Sequence, residues 1–283
     1  MNEMSQQHKA IASIDYLQKN ILGKGKLAIA LSGGLDSSVL LAYTVTILGH
    51  QNCIALTAKT PYMMEQELQE ATQLCSQLKV RQIIMSLPIP DSIVNNPPAR
   101  CYLCKKELFT ELKKRAIDEG FPFIADGTNQ DDLGDYRPGL QAITELGIAS
   151  PFKESGFGKQ AIRQLGSQLG LSSTLINKPP YACLLTRIEH HTPITEDTLR
   201  RIDQAENFLR SLGITACRVR VHTVSSNLPL LARLEIPAES WSSLLSDDRI
   251  PRICQHLKQL GFAHVTLDLE GYRRGSMNQE PQS

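Results

Sequence analysis

The chain has 283 residues, of which 41% are hydrophobic and 21% charged, and its formal net charge is +1. That length suits one large or two modest domains, and the composition is that of a globular protein rather than a disordered one. A charge this close to neutral excludes the broad basic field with which proteins hold long nucleic acids or acidic membranes.

The predicted elements alternate. Ile11 to Leu22 reads as an entry helix stopped by Gly23, and Leu27 to Leu31 as a short apolar strand buried on both faces. The strand runs into Ser32-Gly33-Gly34 and a helix over Asp36 to Leu48, closed by Gly49. Next come a strand over Cys53 to Thr57, a helix over Glu65 to Leu78 and a strand over Gln82 to Met85. A helix over Tyr102 to Glu119 leads into a strand over Phe121 to Ala125. Strands alternating with helices imply an α/β fold, a parallel sheet with helices on both faces. The pattern changes near Lys178-Pro179-Pro180. A charged helix over Glu196 to Leu212 precedes alternating segments at Cys217 to His222, Leu231 to Ile236 and His264 to Leu269. These read as antiparallel strands with one wet face. The expected organisation is a larger domain over residues 1–190 and a smaller C-terminal α+β domain over residues 191–283. The polar end, Arg273 to Ser283, is expected to fray. Met1 to Ala10 has no secretory-type apolar segment, and no apolar run approaches bilayer length, so the cytoplasm is the expected compartment.

Ser32 to Ser38 lies between the first strand and its helix. Gly33 and Gly34 let the backbone approach an anion, and the helix start presents unpaired N–H groups to it. Ser32, Ser37 and Ser38 add hydroxyl donors. Asp36 alone would repel phosphate; it makes sense as the holder of a Mg²⁺ ion that carries the phosphate charge. The loop lacks the lysine of phosphoryl-transfer loops and the spaced glycines of dinucleotide sites. Its order, Ser-Gly-Gly-Leu-Asp-Ser, resembles the PP-loop of the adenine-nucleotide alpha hydrolase superfamily. That resemblance implies a Rossmann-like domain that splits ATP into AMP and pyrophosphate. A second candidate contact to nucleotide or Mg²⁺ is Asp126-Gly127-Thr128-Asn129, at the carboxyl end of a predicted strand, where open α/β sheets bind ligands. Thr57, closing the second strand, is a further candidate for the ATP site.

Seven cysteines, an odd number, argue against a disulfide framework in a reducing compartment. Cys101 and Cys104 form a C-x-x-C pair at the start of a helix, with Arg100, Lys105 and Lys106 beside them to favour thiolate. That spacing serves zinc, iron–sulfur and dithiol chemistry alike. Cys183, in an extended proline-rich segment, reads as a reactive or a buried thiol. Cys53, Cys75, Cys217 and Cys254 read as packing residues.

Assembled, these segments resemble the LarE family, ATP-dependent sulfur transferases that help make the nickel-pincer cofactor of lactate racemase. The resemblance covers most of the chain. It rests on the Ser32 to Ser37 loop, Pro98 to Lys105, Asp126 to Asn129, Asp135 to Gly139, Ser150 to Glu154, Ala182-Cys183-Leu184 with Arg187, Arg218-Val219-Arg220, and Leu267 to Arg273. It implies a small nucleotide substrate, pyridinium-3,5-dicarboxylate mononucleotide, whose carboxylates become thiocarboxylates through acyl-adenylates. It also implies a homo-oligomer and a partner that supplies sulfur. Family members differ in the sulfur source. In one form a cysteine matching Cys183 gives up its own sulfur and becomes dehydroalanine. In the other, three cysteines matching Cys101, Cys104 and Cys183 hold a [4Fe–4S] cluster, and this chain has all three, so the cluster is the favoured expectation. Zinc with His190 or His191 is a third option. The segment Leu184 to His191 departs from the family, which has smaller residues and a Pro-Tyr-Gly turn there.

Arg218 and Arg220 are two apart on a predicted strand and therefore share a face. The resemblance places them on the substrate's phosphate, for which the guanidinium fork is well shaped. It assigns Arg137, Arg187, Glu206 and Glu235 to the same pocket. Three other readings compete: a cluster-dependent tRNA thiolase, an ammonia-using synthetase, and a non-catalytic nucleotide sensor. The near-neutral charge argues against the first, Cys101, Cys104 and Cys183 against the second, and Asp36 against the third.

Overall fold

The computed structural model describes residues 14–134, 138–178, 183–214, 216–223, 230–246 and 249–272. Arg137 lies outside the described residues, as do Asp135, Tyr136, Pro179, Pro180 and Arg273. The chain divides into two compact units, Met1–Ser92 with Ala99–Tyr181, and Ile93–Pro98 with Ala182–Ser283. Among the described residues no helix is long and apolar enough to cross a membrane.

In the first unit, a helix over residues 14–22 (α1) precedes β1 (Leu27–Ala30), α2 (Leu35–Leu48), β2 (Cys53–Lys59), α3 (Glu65–Gln77), β3 (Arg81–Ser86), α4 (Arg100–Asp118) and β4 (Phe123–Ala125). All four strands are parallel, in the order β3-β2-β1-β4, with Leu27 opposite both Cys53 and Phe123. The alternation of side chains along each strand builds two cores. Leu27 and Ile29 point to one face, where they pack with Leu17, Val39, Leu40, Leu74 and Phe152. Ala28, Ile54 and Leu56 point to the other, against Phe109, Leu112, Phe121 and Ile143. The expected parallel α/β architecture with helices on both faces is thus present. Four helices between β4 and the end of this unit were not foreseen: α5 (Pro138–Glu145), α6 (Pro151–Glu154), α7 (Lys159–Gln168) and α8 (Ser173–Ile176). In α7, Ile162 and Leu165 are buried at helical spacing, so its periodicity was present in the sequence.

The second unit carries α9 (Glu196–Ser211), β5 (Arg218–Thr223), β6 (Leu230–Glu235), α10 (Trp241–Ser246), α11 (Arg249–Gln259) and β7 (Phe262–Leu267). Thr195 caps α9, its hydroxyl accepting the Thr198 N–H at 3.1 Å, and Glu196 and Asp197 favour the positive end of the helix. The apolar stripe Leu199, Ile202, Ala205 and Leu209 is buried. Strands β5 and β6 are antiparallel as expected, but β6 and β7 are parallel, because α10 and α11 form a crossover between them. Nor is the arginine face of β5 wet: Arg218, Val219, Arg220 and Val221 are all buried. Residues 93–98 are stitched into this unit by Asn96, whose side-chain amide donates to the carbonyls of Ile188 at 3.3 Å and Glu189 at 2.6 Å.

Phe152 is fully buried and stacks on Phe157 with ring centroids 5.7 Å apart. Phe152→Ala is expected to lower stability by about 3–5 kcal/mol, the usual loss for an emptied aromatic site. Urea denaturation measures it, and a loss under about 1 kcal/mol would show that the site collapses freely.

Candidate active site

The first unit gathers its functional side chains at the carboxyl ends of β1 and β4. Leu31 continues the buried strand, and the chain then turns through Ser32, Gly33 and Gly34 into α2. Gly33 has φ +78°, and a Cβ there would lie 2.2 Å from the main-chain oxygen of Glu67, so only glycine fits both the conformation and the contact. The serines hold the turn rather than standing free. Ser37 Oγ accepts the Ser32 N–H at 3.3 Å and sits 3.1 Å from Ser32 Oγ, and it donates to the Gly34 carbonyl at 3.3 Å. Ser38 is buried, with its N–H on the Gly34 carbonyl at 3.1 Å.

The loop after β4 closes on this turn. A Cβ on Gly127 would lie 2.6 Å from the Ser37 nitrogen, so Gly127 packs directly on the first turn of α2. Asp126 accepts from the Thr128 N–H and hydroxyl and from Ser150 Oγ at 2.8 Å. Asn129 donates to Asp36 Oδ2 at 3.3 Å, its N–H donates to Asp132 Oδ2 at 3.1 Å, and its side-chain oxygen accepts the Asp131 N–H at 3.0 Å. Asp131 in turn accepts the Lys159 N–H at 2.7 Å at the start of α7. The Asp126 to Asn129 loop therefore lies against the turn and the start of α2, through Gly127 and Asn129. Thr57 does not stand free beside them: it is fully buried and its hydroxyl accepts from Gln82 at 2.9 Å.

Asp36 is the electrostatic centre of this cluster. Its Oδ2 is paired with the Lys159 ammonium and takes the Asn129 amide, while its Oδ1 is buried with no hydrogen-bond partner. Burial raises the Asp36 pKa above the ordinary carboxylate value, against the pull of Lys159. An orphaned carboxylate oxygen beside a glycine turn suits a hard cation such as Mg²⁺, which binds through one or two carboxylates with phosphate and water completing its shell. Among the described residues no three His, Cys, Asp or Glu side chains form a metal-ion site of their own. Sequence reasoning missed two lysines here. Lys159 comes from the unread helix α7, and Lys178 donates to the Gly33 carbonyl at 3.0 Å and pairs with Glu70. The loop that lacks a lysine of its own receives two from far along the chain.

All seven cysteines are free of disulfides. Cys101 and Cys104 lie one helical turn apart at the start of α4 and so share a face; Cys101 is exposed and Cys104 buried. Cys104 Sγ lies 3.1 Å from the Tyr62 hydroxyl, and burial raises its pKa while Tyr62 lowers it. Two soft donors on one face, neither consumed by a disulfide, fit a share in an iron–sulfur ligand set. Cys53 and Cys75 are buried packing residues, each pushed by burial to a pKa of about 11, and Cys217 to about 12; Cys254 is only partly buried.

The second unit holds a separate cluster. Arg187 and Glu206 form a bidentate pair at 2.8 and 3.0 Å, and Glu206 Oε1 also accepts the Val219 N–H at 3.0 Å. Arg187 also reaches the Cys183 carbonyl at 3.4 Å, and Cys183 itself is exposed. Arg220 pairs with Glu235 at 2.9 Å and donates to the Thr186 carbonyl. Arg218 differs. Among the described residues it meets no carboxylate at ion-pair distance, and its guanidinium lies over the Tyr272 ring, 4.8 Å from the centroid. Burial, then Arg187, depress its pKa. Glu206 and Glu235 are shared further, Arg210 lying 3.5 Å from Glu206 and Arg233 3.4 Å from Glu235, so arginines outnumber carboxylates in this cluster and suit it to an anion. Glu206 and Glu235 are engaged with the arginines.

Because the Asp36 pKa is raised in the folded chain, the folded state binds more protons there than the unfolded one just above the ordinary carboxylate range. Stability therefore falls as pH rises through that window. Asp36→Asn removes this dependence and is expected to gain stability relative to the parent between about pH 4 and pH 7. Urea midpoints at both pH values measure it, and equal shifts at the two would refute the raised pKa. Glu206→Ala removes the carboxylate that meets buried Arg187 and is expected to destabilise by about 3–5 kcal/mol; a loss below about 1 kcal/mol would show that the pair adds little to stability.

The NAD synthase family model matches residues 9–110, which contain the glycine turn. A pyridinium-3,5-bisthiocarboxylic acid mononucleotide synthase of Lactiplantibacillus plantarum is 35% identical over 256 residues, 89% of this chain and 89% of the relative. An uncharacterised protein of Synechocystis is 36% identical over 252 residues, 88% of this chain and 91% of the relative. Another, from Methanocaldococcus jannaschii, is 36% identical over 249 residues, again 88% and 91%.

Proposed function

The chain belongs to the LarE family, and from that membership we propose that it adenylates the carboxylates of a pyridinium-3,5-dicarboxylate mononucleotide with ATP and converts them to thiocarboxylates. The observation that carries the ATP half is Asp36, with one oxygen held by Lys159 and the other buried and unpartnered at the start of α2. In this reading Asp36 Oδ1 takes Mg²⁺, which supplies charge neutralisation on the phosphates. Lys159, released from its partner, turns to the polyphosphate. The turn at Ser32 to Gly34 and the first amides of α2 hold the phosphates.

A substrate carboxylate oxygen then attacks the α-phosphorus. The bond from that phosphorus to the bridging oxygen breaks, and pyrophosphate leaves with the electron pair. The product is an acyl-adenylate. A carboxylate oxygen leaves poorly and AMP leaves well, so activation divides one hard step into two easier ones. A sulfur nucleophile adds to the carbonyl carbon, the C–S bond forms and AMP departs. Arg218, which among the described residues meets no carboxylate at ion-pair distance, takes the substrate's phosphate, with Arg220 beside it on the same strand; Arg187 is proposed as a further substrate contact, as is Arg137 from the family resemblance. Glu206 and Glu235 orient the arginines.

For the sulfur we propose a [4Fe–4S] cluster on Cys101, Cys104 and Cys183. When bound, such a cluster supplies an iron with no protein ligand, on which an extra sulfide can be carried. Cys101 and Cys104 offer adjacent thiols from α4, and Cys183 an exposed one whose carbonyl Arg187 steadies. The reading includes a homo-oligomer and a partner that renews the sulfide.

One experiment tests these parts together. Protein purified without oxygen is expected to be brown with about four irons per chain, and to release pyrophosphate from ATP only with the dicarboxylate nucleotide and Mg²⁺. Asp36→Ala is expected to lower that release by at least about a hundredfold. Arg218→Ala is expected to raise KM for the nucleotide about tenfold or more, with KM for ATP little changed. Intact ATP binding without pyrophosphate release would sink the adenylation. A colourless, active protein whose Cys183 loses one sulfur's mass per turnover would replace the cluster with sacrifice of that cysteine.

A further inference from the structure

Lys178 has no part in the chemistry above, yet it reaches the centre of the phosphate loop. Its side chain is only 6% exposed, and its ammonium donates to the Gly33 carbonyl at 3.0 Å while paired with Glu70 on α3. In a planar trans peptide the C=O of one residue and the N–H of the next point in opposite directions. With the Gly33 carbonyl turned toward Lys178, the Gly34 N–H is turned away from it, where it meets Ser32 Oγ at 3.3 Å, on the exposed side of the loop.

Two side chains hold that peptide in this orientation, Ser32 Oγ on its N–H and the Lys178 ammonium on its carbonyl. Glycine stands on both sides of it, and rotating its plane changes Gly33 ψ and Gly34 φ with no Cβ to resist. Gly34 now has φ −77° and ψ 164°, and its Cβ direction meets nothing nearer than Ser32 Oγ at 3.4 Å. With no side chain on either α-carbon, the orientation of this peptide rests on those two hydrogen bonds, whereas Gly33's own α-carbon is wedged against Glu67. A flipped peptide would present a carbonyl oxygen to the phosphates in place of an N–H.

We propose that Lys178 is a positioning residue that locks the Gly33–Gly34 peptide with its carbonyl inward and its N–H aimed at the nucleotide's phosphates. The proposal rests on reading Ser32 to Ser38 as the phosphate loop. Glu70 holds the ammonium in place, and Lys178 itself does not touch the ligand.

The test uses the full chain. Gly33–Gly34 is the sole Gly-Gly pair in the sequence. Labelling glycine with ¹³C at the carbonyl and ¹⁵N at the amide therefore gives one carbonyl-correlated amide signal, that of Gly34. Lys178→Met is expected to move this signal and to weaken ATP binding about tenfold, while adenosine binding stays within about twofold. Glu70→Gln, which loosens the ammonium without removing it, is expected to give a smaller ATP loss in the same direction, and it serves if the methionine variant does not fold. An unmoved Gly34 signal, or equal losses for ATP and adenosine, would overturn the lock. Failure of the unaltered protein to bind ATP would instead overturn the reading of the loop.

Discussion

The first unit of this protein is organised around a carboxylate set among backbone N–H groups. Asp36 stands at the start of α2, among the N–H groups and glycines that would otherwise form a plain anion cradle. Left alone it would repel phosphate and suffer from burial. The surrounding structure is an answer to that problem. Lys159 neutralises one oxygen, Asn129 donates to the same atom, and the other oxygen is kept dry and unpaired. The loop after β4 can deliver Asn129 only because Gly127 lies against the backbone of Asp36 and Ser37. The loop is held in turn by Asp131 on the start of α7, the helix that brings Lys159. One charge thus ties together α2, β4 and α7.

The second unit solves a related problem with the opposite sign. Burying arginine on a strand is expensive unless carboxylates accompany it. Glu206 and Glu235 do so for Arg187 and Arg220, with geometry that occupies both oxygens of Glu206. Arg218 is left to an aromatic ring, which softens but does not cancel its charge. Among the described residues Arg218 meets no carboxylate at ion-pair distance, and a phosphate beside it would offset the cost of burying its charge.

Much of the first unit was legible because its signals are local. Short apolar runs, a glycine turn after the first of them and helical periodicity place four parallel strands and the loop between β1 and α2. The lysines were not legible, because nothing in a loop's own sequence says which distant side chain will neutralise it. Lys159 sits in α7, whose apolar periodicity is interrupted by Gly166 and flanked by glycines, so the helix itself was unread. In the second unit the alternation of Arg218, Val219, Arg220 and Val221 looks like a half-wet strand, since charge ordinarily marks solvent. Here the charged face is covered, and the covering carboxylates come from α9 and β6. Likewise the direction of β7 depends on a crossover through α10 and α11, which alternation within the strand does not encode.

The two units therefore hold anions on different physical terms. In the first, the two lysines at the loop already have carboxylate partners: Lys159 with Asp36, and Lys178 with Glu70. In the proposed reading, binding there would be an exchange, in which a ligand bringing its own divalent cation frees Lys159 as it engages Asp36. In the second, the charge is permanent, because guanidinium does not shed its proton, and among the described residues Arg218 meets no carboxylate at ion-pair distance. That site needs no cation and suits a single phosphate group. The proposed adenylation of a singly phosphorylated nucleotide by a metal-bound triphosphate would call for both kinds of recognition.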